Sequence, residues 1–208
     1  FFYNLMFNIF NKFIYILLLL ITTNEKTMAG SNIYQYSFKD IDGNTLDLED
    51  FVGRPIMLVN TASKCGFTPQ YGGLQKLFQE YKNSDVIFIA TPSNDFKQEY
   101  SSEEEIKKYC LINFGISFRV TEIIQLKGKD AHPLFKWLKN EFNEEPKWNF
   151  YKYLFNRNGQ LEESWSSITK PTSPKIQESI NKNPNFMIEE ETIKKGDKGY
   201  RNFTNAQN

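Results

Sequence analysis

Two apolar runs, "IMLVNTA" (56–62) and "VIFIATP" (86–92), each have the length of a buried strand and each lead into a helix-periodic segment. After the first, Leu74, Leu77, Phe78 and Tyr81 recur at i, i+3, i+4 and i+7, one face of a helix, with Gly66 and Pro69 suited to the turn before it. After the second, Ser101 and Ser102 are followed three residues on by Glu104 and Glu105, a capping-box signature. The helix they open puts Ile106, Tyr109, Cys110 and Asn113 on one side. Upstream, "YSFKDIDGNTLDL" reads as two short strands around an Asp42–Gly43 turn. Downstream, "TEIIQL" reads as a strand, "AHPLFKWLKNEF" as a helix, "NFYKYLF" and "QLEESW" as strands joined by "NRNG", and "SPKIQESINK" as a last helix. Strand–helix alternation closed by a hairpin predicts an α/β fold, a mixed central sheet flanked by helices.

That pattern occupies about residues 34–182, where apolar and charged residues are balanced as in a single domain with its own core. The ends differ. Residues 1–21 carry one charge, Lys12, and finish in an unbroken apolar run from Phe13 to Ile21. Residues 1–27 therefore read as a targeting segment outside the fold, sending the chain to an organelle, plastid-like, by the secretory route. A short anchor and an untranslated upstream stretch are the alternatives, and Met28 offers a second start for a cytoplasmic form. Residues 183–208 read as a polar, disordered tail. Lys plus Arg number 25 and Asp plus Glu 25, with no basic stripe among aromatics, which argues against nucleic acid as a partner. Two cysteines and one histidine do not fill a structural zinc site, and nothing in the sequence calls for a metal or a cofactor.

Cys65, in "NTASKCGFTPQY", follows the first strand and precedes a helix, in the crevice where parallel sheets bind and react. The positive end of that helix would favour a thiolate, the nucleophilic form. "CGFT" looks like a C-x-x-C whose second cysteine has become Thr68, so a dithiol at this spacing is excluded. A thiolate here could attack a peroxide oxygen, become a sulfenic acid and be resolved by Cys110, the one other thiol in the chain. The competing reading makes both cysteines small apolar core residues. The one histidine, His132, falls at a helix start, so a Cys–His pair finds no support.

"NTASKCGFT", "PSNDFKQE", "AHPLFKWLK", "KWNFYKYLF" with "NRNGQL", and "SSITKP", in that order, resemble the glutathione peroxidase family in its cysteine rather than selenocysteine form. The resemblance spans about residues 34–182 and implies a thioredoxin-like fold with a catalytic tetrad of Cys65, Gln98, Trp148 and Asn149. An indole N–H and two side-chain amides can hold a sulfur anion and peroxide oxygens without a titrating base. Cys110 aligns with the resolving cysteine of the family's thioredoxin-dependent members. "TPSNDF" departs from the usual segment before the glutamine, with Thr91 for a phenylalanine, Ser93 for a cysteine and Asp95 for a glutamine, and Arg119 replaces a proline. The short link "KNEFNEEPKWNF" lacks the insertion of tetrameric relatives, which implies a monomer. No arginine near Gln70 resembles a glutathione clamp, which makes glutathione a poor reductant.

The resemblance thus implies a peroxidase for hydrogen peroxide and organic or lipid hydroperoxides, cycling through a sulfenic acid and a Cys65–Cys110 disulfide that thioredoxin or a similar dithiol reduces. The alternative is a peroxide sensor or relay that passes its oxidation to a client protein. A disulfide needs Cα atoms within ~6 Å, so the helix carrying Cys110 is expected to unwind over about residues 101–114. The like-charged run "SSEEE" reads as a source of low stability there.

Overall fold

The computed structural model describes residues 31–183. The segment 1–27 and all of the tail beyond Asn183 lie outside the described residues. A one-turn 3-10 helix, Ile33–Gln35, leads into a hairpin of β1 (Ser37–Lys39) and β2 (Thr45–Asp47). Its turn is built as the sequence suggests: the Asp40 carboxylate accepts from the Asp42 and Asn44 N–H groups, and Gly43 supplies a φ of 82°. A second 3-10 turn, Leu48–Phe51, precedes β3 (Ile56–Thr61). There follow α1 (Gln70–Glu80), β4 (Ile87–Pro92), α2 (Glu103–Phe114), β5 (Arg119–Val120), α3 (Pro133–Phe142), β6 (Lys152–Phe155), β7 (Leu161–Trp165) and α4 (Pro174–Asn181).

The main sheet has the order β5-β4-β3-β6-β7, with β3, β4 and β5 parallel and β6 antiparallel to both β3 and β7. Every residue of β3 and β4 is buried, as expected of strands covered on both faces. Side-chain alternation divides the core in two. Met57, Val59, Phe88 and Ala90 meet Leu74, Leu77 and Phe78 of α1, Ile106 and Cys110 of α2, and Ile176 and Ile180 of α4. Ile56, Leu58, Ile87 and Ile89 meet Leu134, Phe135, Trp137 and Leu138 of α3 and the N-terminal Ile33, Phe38 and Leu48. Both cysteines belong to the first layer.

Two expectations are corrected. "TEIIQL" is not a strand: pairing to β4 is made one step earlier, by Arg119 and Val120, and only an isolated bridge joins Thr121 to Asp40. The amides that a strand would have offered go elsewhere. Ile124 N–H donates to the Pro92 carbonyl, and those of Leu126 and Lys127 to the Asp95 carboxylate. Asp95, one of the departures in "TPSNDF", thereby anchors this loop. In α2, Ile106 and Cys110 are buried but Asn113 is exposed, so the inward face is narrower than its periodicity suggests. Arg119 stacks its guanidinium over Phe51, 4.7 Å from the ring centroid.

The β6–β7 turn closes on Gly159, whose φ is 74° and whose missing Cβ would lie 2.8 Å from the Tyr34 ring. Tyr34 is fixed there because its hydroxyl reaches the Arg54 and Arg157 carbonyls, at 2.8 and 3.0 Å. Gly159→Ala should cost about 2–3 kcal/mol through strain and displacement of that ring, measured by urea unfolding.

Candidate active site

Cys65 lies in a run of turns between β3 and α1 rather than at the first helical residue, and it is 6% exposed. Thr68 shapes this run. Its hydroxyl donates to the Ala62 carbonyl and accepts the Cys65 N–H, each at 2.9 Å, so the residue standing where a second cysteine would be is a brace. The Cys65 Sγ accepts the Phe67 N–H at 3.4 Å, so its donor comes from the turn before α1.

The loop after β4 brings Gln98 alongside. The Lys64 N–H donates to the Gln98 carbonyl at 2.8 Å, joining the cysteine loop to the glutamine loop through their backbones. Lys97 takes a φ of 59° to make that bend. Behind it Glu99, 4% exposed, accepts from the Ser63 and Tyr100 N–H groups, and burial raises the pKa of its carboxyl.

The third contribution is the segment ahead of β6. Asn149 is fully buried and its Nδ2 donates to Gln98 Oε1 at 3.0 Å, so the two amides expected to act together are in contact. The Asn149 Oδ1 is buried with no protein partner. Trp148 is 39% exposed, with its ring 5.2 Å from that of Phe96. Among the described residues no hydrogen bond links Cys65 Sγ to the side chains of Gln98, Trp148 or Asn149. Three segments distant in sequence are thus joined, and the Gln98 Nε2 and Asn149 Oδ1 are left for a bound molecule.

Two residues missed by the sequence reading hold this segment. Asn60, near the C-terminal end of β3, accepts from Tyr151 N–H at 2.8 Å and donates through Nδ2 to the Trp148 carbonyl at 3.0 Å. Its own carbonyl accepts the Phe150 N–H at 2.6 Å, while Phe150 adopts a φ of 66°. Ser167 Oγ donates to the Asn149 carbonyl at 2.6 Å. The asparagine inside an apolar strand was the available signal, since a buried amide must find partners. Ser167 gave none.

Cys110 sits in the third turn of α2, 3% exposed, and burial pushes its thiol up to about 12. It faces α1, where the Tyr71 hydroxyl lies beside it. Both cysteines are free thiols. His132 is in the other core layer, as the N-cap of α3: Nδ1 accepts from Leu134 N–H, Nε2 bonds the Ser37 carbonyl, and burial lowers its pKa. It takes no part in this site. Among the described residues no helix is long and apolar enough to cross a membrane.

The glutathione peroxidase family model matches residues 33–139. The glutathione peroxidase-like peroxiredoxin gpx1 of Schizosaccharomyces pombe is 44% identical over 146 residues, covering 68% of this chain and 92% of its own. The hydroperoxy fatty acid reductase gpx1 of a Synechocystis strain is 38% identical over 154 residues, covering 69% and 91%. A crystal structure described as Trgpx in apo form superposes with a TM-score of 0.60 at 33% identity, covering 74% of this chain and 96% of that one. The fold is the thioredoxin-like one expected from the sequence. By sequence and by topology, the chain belongs to the glutathione peroxidase family.

Proposed function

We propose that the chain is a cysteine peroxidase that reduces hydrogen peroxide and organic hydroperoxides, lipid hydroperoxides included, with thioredoxin or a similar dithiol protein as reductant. The observation that carries the site is the Asn149–Gln98 amide contact next to the cysteine loop. In the first step the Cys65 thiolate attacks one peroxide oxygen, the O–O bond breaks, and the departing alkoxide or hydroxide takes up a proton, leaving a sulfenic acid. Gln98 Nε2 and the Trp148 indole supply N–H donors to the oxygens, while Asn149 Oδ1 accepts the peroxide O–H. The partly exposed Trp148, with Phe96 beside it, gives the approach an apolar edge, which suits a hydroperoxide on an alkyl chain, the chemistry in the name of the Synechocystis relative.

In the second step the Cys110 thiolate attacks the sulfenic sulfur, the S–O bond breaks, and the departing hydroxide takes up a proton to leave as water, forming the disulfide. A thiol pushed up to about 12 on the buried face of α2 is not a thiolate at neutral pH, so resolution requires α2 to open. The charge run does not weaken the helix as the sequence reading supposed. Ser102 caps it by accepting from Glu105 N–H, and acids in the first turn favour the helix dipole. What leaves α2 open to unwinding is that only Ile106 and Cys110 of its residues are buried. A dithiol reductant then attacks the intramolecular disulfide and resolves its own mixed disulfide, which a monothiol such as glutathione does poorly. The site is built within one chain, and a monomer suffices for it. Residues 1–27 are read as a targeting element.

Cys65→Ser should abolish peroxide consumption. Cys110→Ser should complete one turnover and stop at a sulfenic acid that dimedone labels; full thioredoxin-driven turnover by this variant would remove Cys110 from the mechanism. Hydrogen exchange should show residues 103–114 losing protection in the disulfide form relative to the reduced form. Peroxide consumption coupled to a thioredoxin system should be at least about tenfold faster than with glutathione and its reductase, and equal rates would overturn the choice of reductant. A chain starting at Met28 should keep the specific activity of the full chain in the same assay.

A further inference from the structure

Lys152 stands inside β6 with its side chain wholly out of water. Across the ladder it faces Val59 of β3 and Trp165 of β7. Its ammonium donates to Gln70 Oε1 at 2.5 Å and to the Thr169 carbonyl at 2.7 Å, and no carboxylate pairs with it among the described residues. Burial alone draws its pKa down to about 7. An ammonium buried without a counter-ion costs stability, and an apolar residue of similar volume would fill the place at less cost. Its bonds, however, lead to the site. Gln70 Nε2 donates to the Ser167 carbonyl at 2.6 Å, Ser167 Oγ donates to the Asn149 carbonyl at 2.6 Å, and Asn149 Nδ2 donates to Gln98 Oε1.

We propose that Lys152 is a positioning residue of the peroxide site: it ties residues 166–170 to Gln70 at the start of α1, so that Ser167 fixes the backbone of Asn149 and thereby the direction of the Asn149–Gln98 amide pair. The inference rests on the reading of Cys65, Gln98 and Asn149 as the peroxide-reducing group. It separates two quantities that a purely structural lysine would move together, the stability of the fold and the rate of Cys65 oxidation.

The test uses the reduced full chain and Lys152→Met, with thiol loss after mixing with hydrogen peroxide followed by quenched flow. The second-order rate constant should fall by about tenfold or more as the amides lose their alignment, while the melting temperature stays level or rises. The rise has a pH signature. A folded pKa of about 7 against ~10.4 in the unfolded chain means that the folded state binds fewer protons between those values. The cost of Lys152 is therefore full below about pH 7 and fades as pH rises toward ~10. The groups facing it, Gln70, the Thr169 carbonyl, Val59 and Trp165, are all neutral and leave this window to Lys152. The stability gain of Lys152→Met should be largest at acidic pH. Ser167→Ala, which cuts the next link and leaves the lysine in place, should also slow Cys65 oxidation. A wild-type rate in Lys152→Met, or a loss no greater than its loss of folded protein, overturns the proposal. If that variant does not fold, an undiminished rate in Ser167→Ala overturns it instead. A wild-type chain that consumes no peroxide refutes the peroxidase reading itself, which the same assay reports separately.

Discussion

One amide, that of Asn60, ties the end of β3 to the segment that enters β6. It lies at 0% exposure near the C-terminal end of β3 and uses both ends of its side chain, donating to the Trp148 carbonyl and accepting the Tyr151 N–H. Its backbone pairs with Phe150 and Tyr151 at the same place. The chain entering β6 would otherwise continue the ladder. These bonds instead turn it through a left-handed residue, so that the Asn149 side chain reaches Gln98. A buried side-chain amide is costly unless both ends are satisfied, and here its satisfaction is the shape of the site.

What was legible in the sequence was whatever has a local period. The buried runs of β3 and β4, the apolar stripe of α1, the serine cap of α2 and the β6–β7 hairpin all follow from residues close in the chain. The contact between Gln98 and Asn149 was legible only through the order of motifs, since 51 residues separate the two amides. "TEIIQL" failed because its apolar residues suit a strand while its amides are claimed by Asp95, Glu103 and the Pro92 carbonyl, none of which is near it in sequence. Thr68 and Ser167 could not be read for the same reason: hydroxyls are common in loops, and only the fold shows which carbonyl each one reaches.

The two thiols share one core layer but differ in surroundings. Cys65 sits in a turn held by Thr68 and takes an N–H from Phe67, whereas Cys110 is wedged between α2 and α1 beside the Tyr71 phenol, itself raised well above its usual value by burial. Burial that keeps the second thiol protonated also protects it from oxidation while the helix is closed. The order of events in a two-thiol cycle can thus be written into packing alone, with no basic residue assigned to Cys110.

The position of α2 in the topology determines how far such an opening could spread. α2 connects β4 to β5, and β5 is an edge strand of the sheet and its shortest, two residues long. The β3–β4 and β3–β6 ladders, which carry Asn60 and fix the entry to β6, lie on the far side of β4 from it. A helix hung between a central strand and a stub at the rim can come loose like a hinged panel on a frame. The frame would keep its register, and the Asn149–Gln98 contact would still be in place when the panel swung shut.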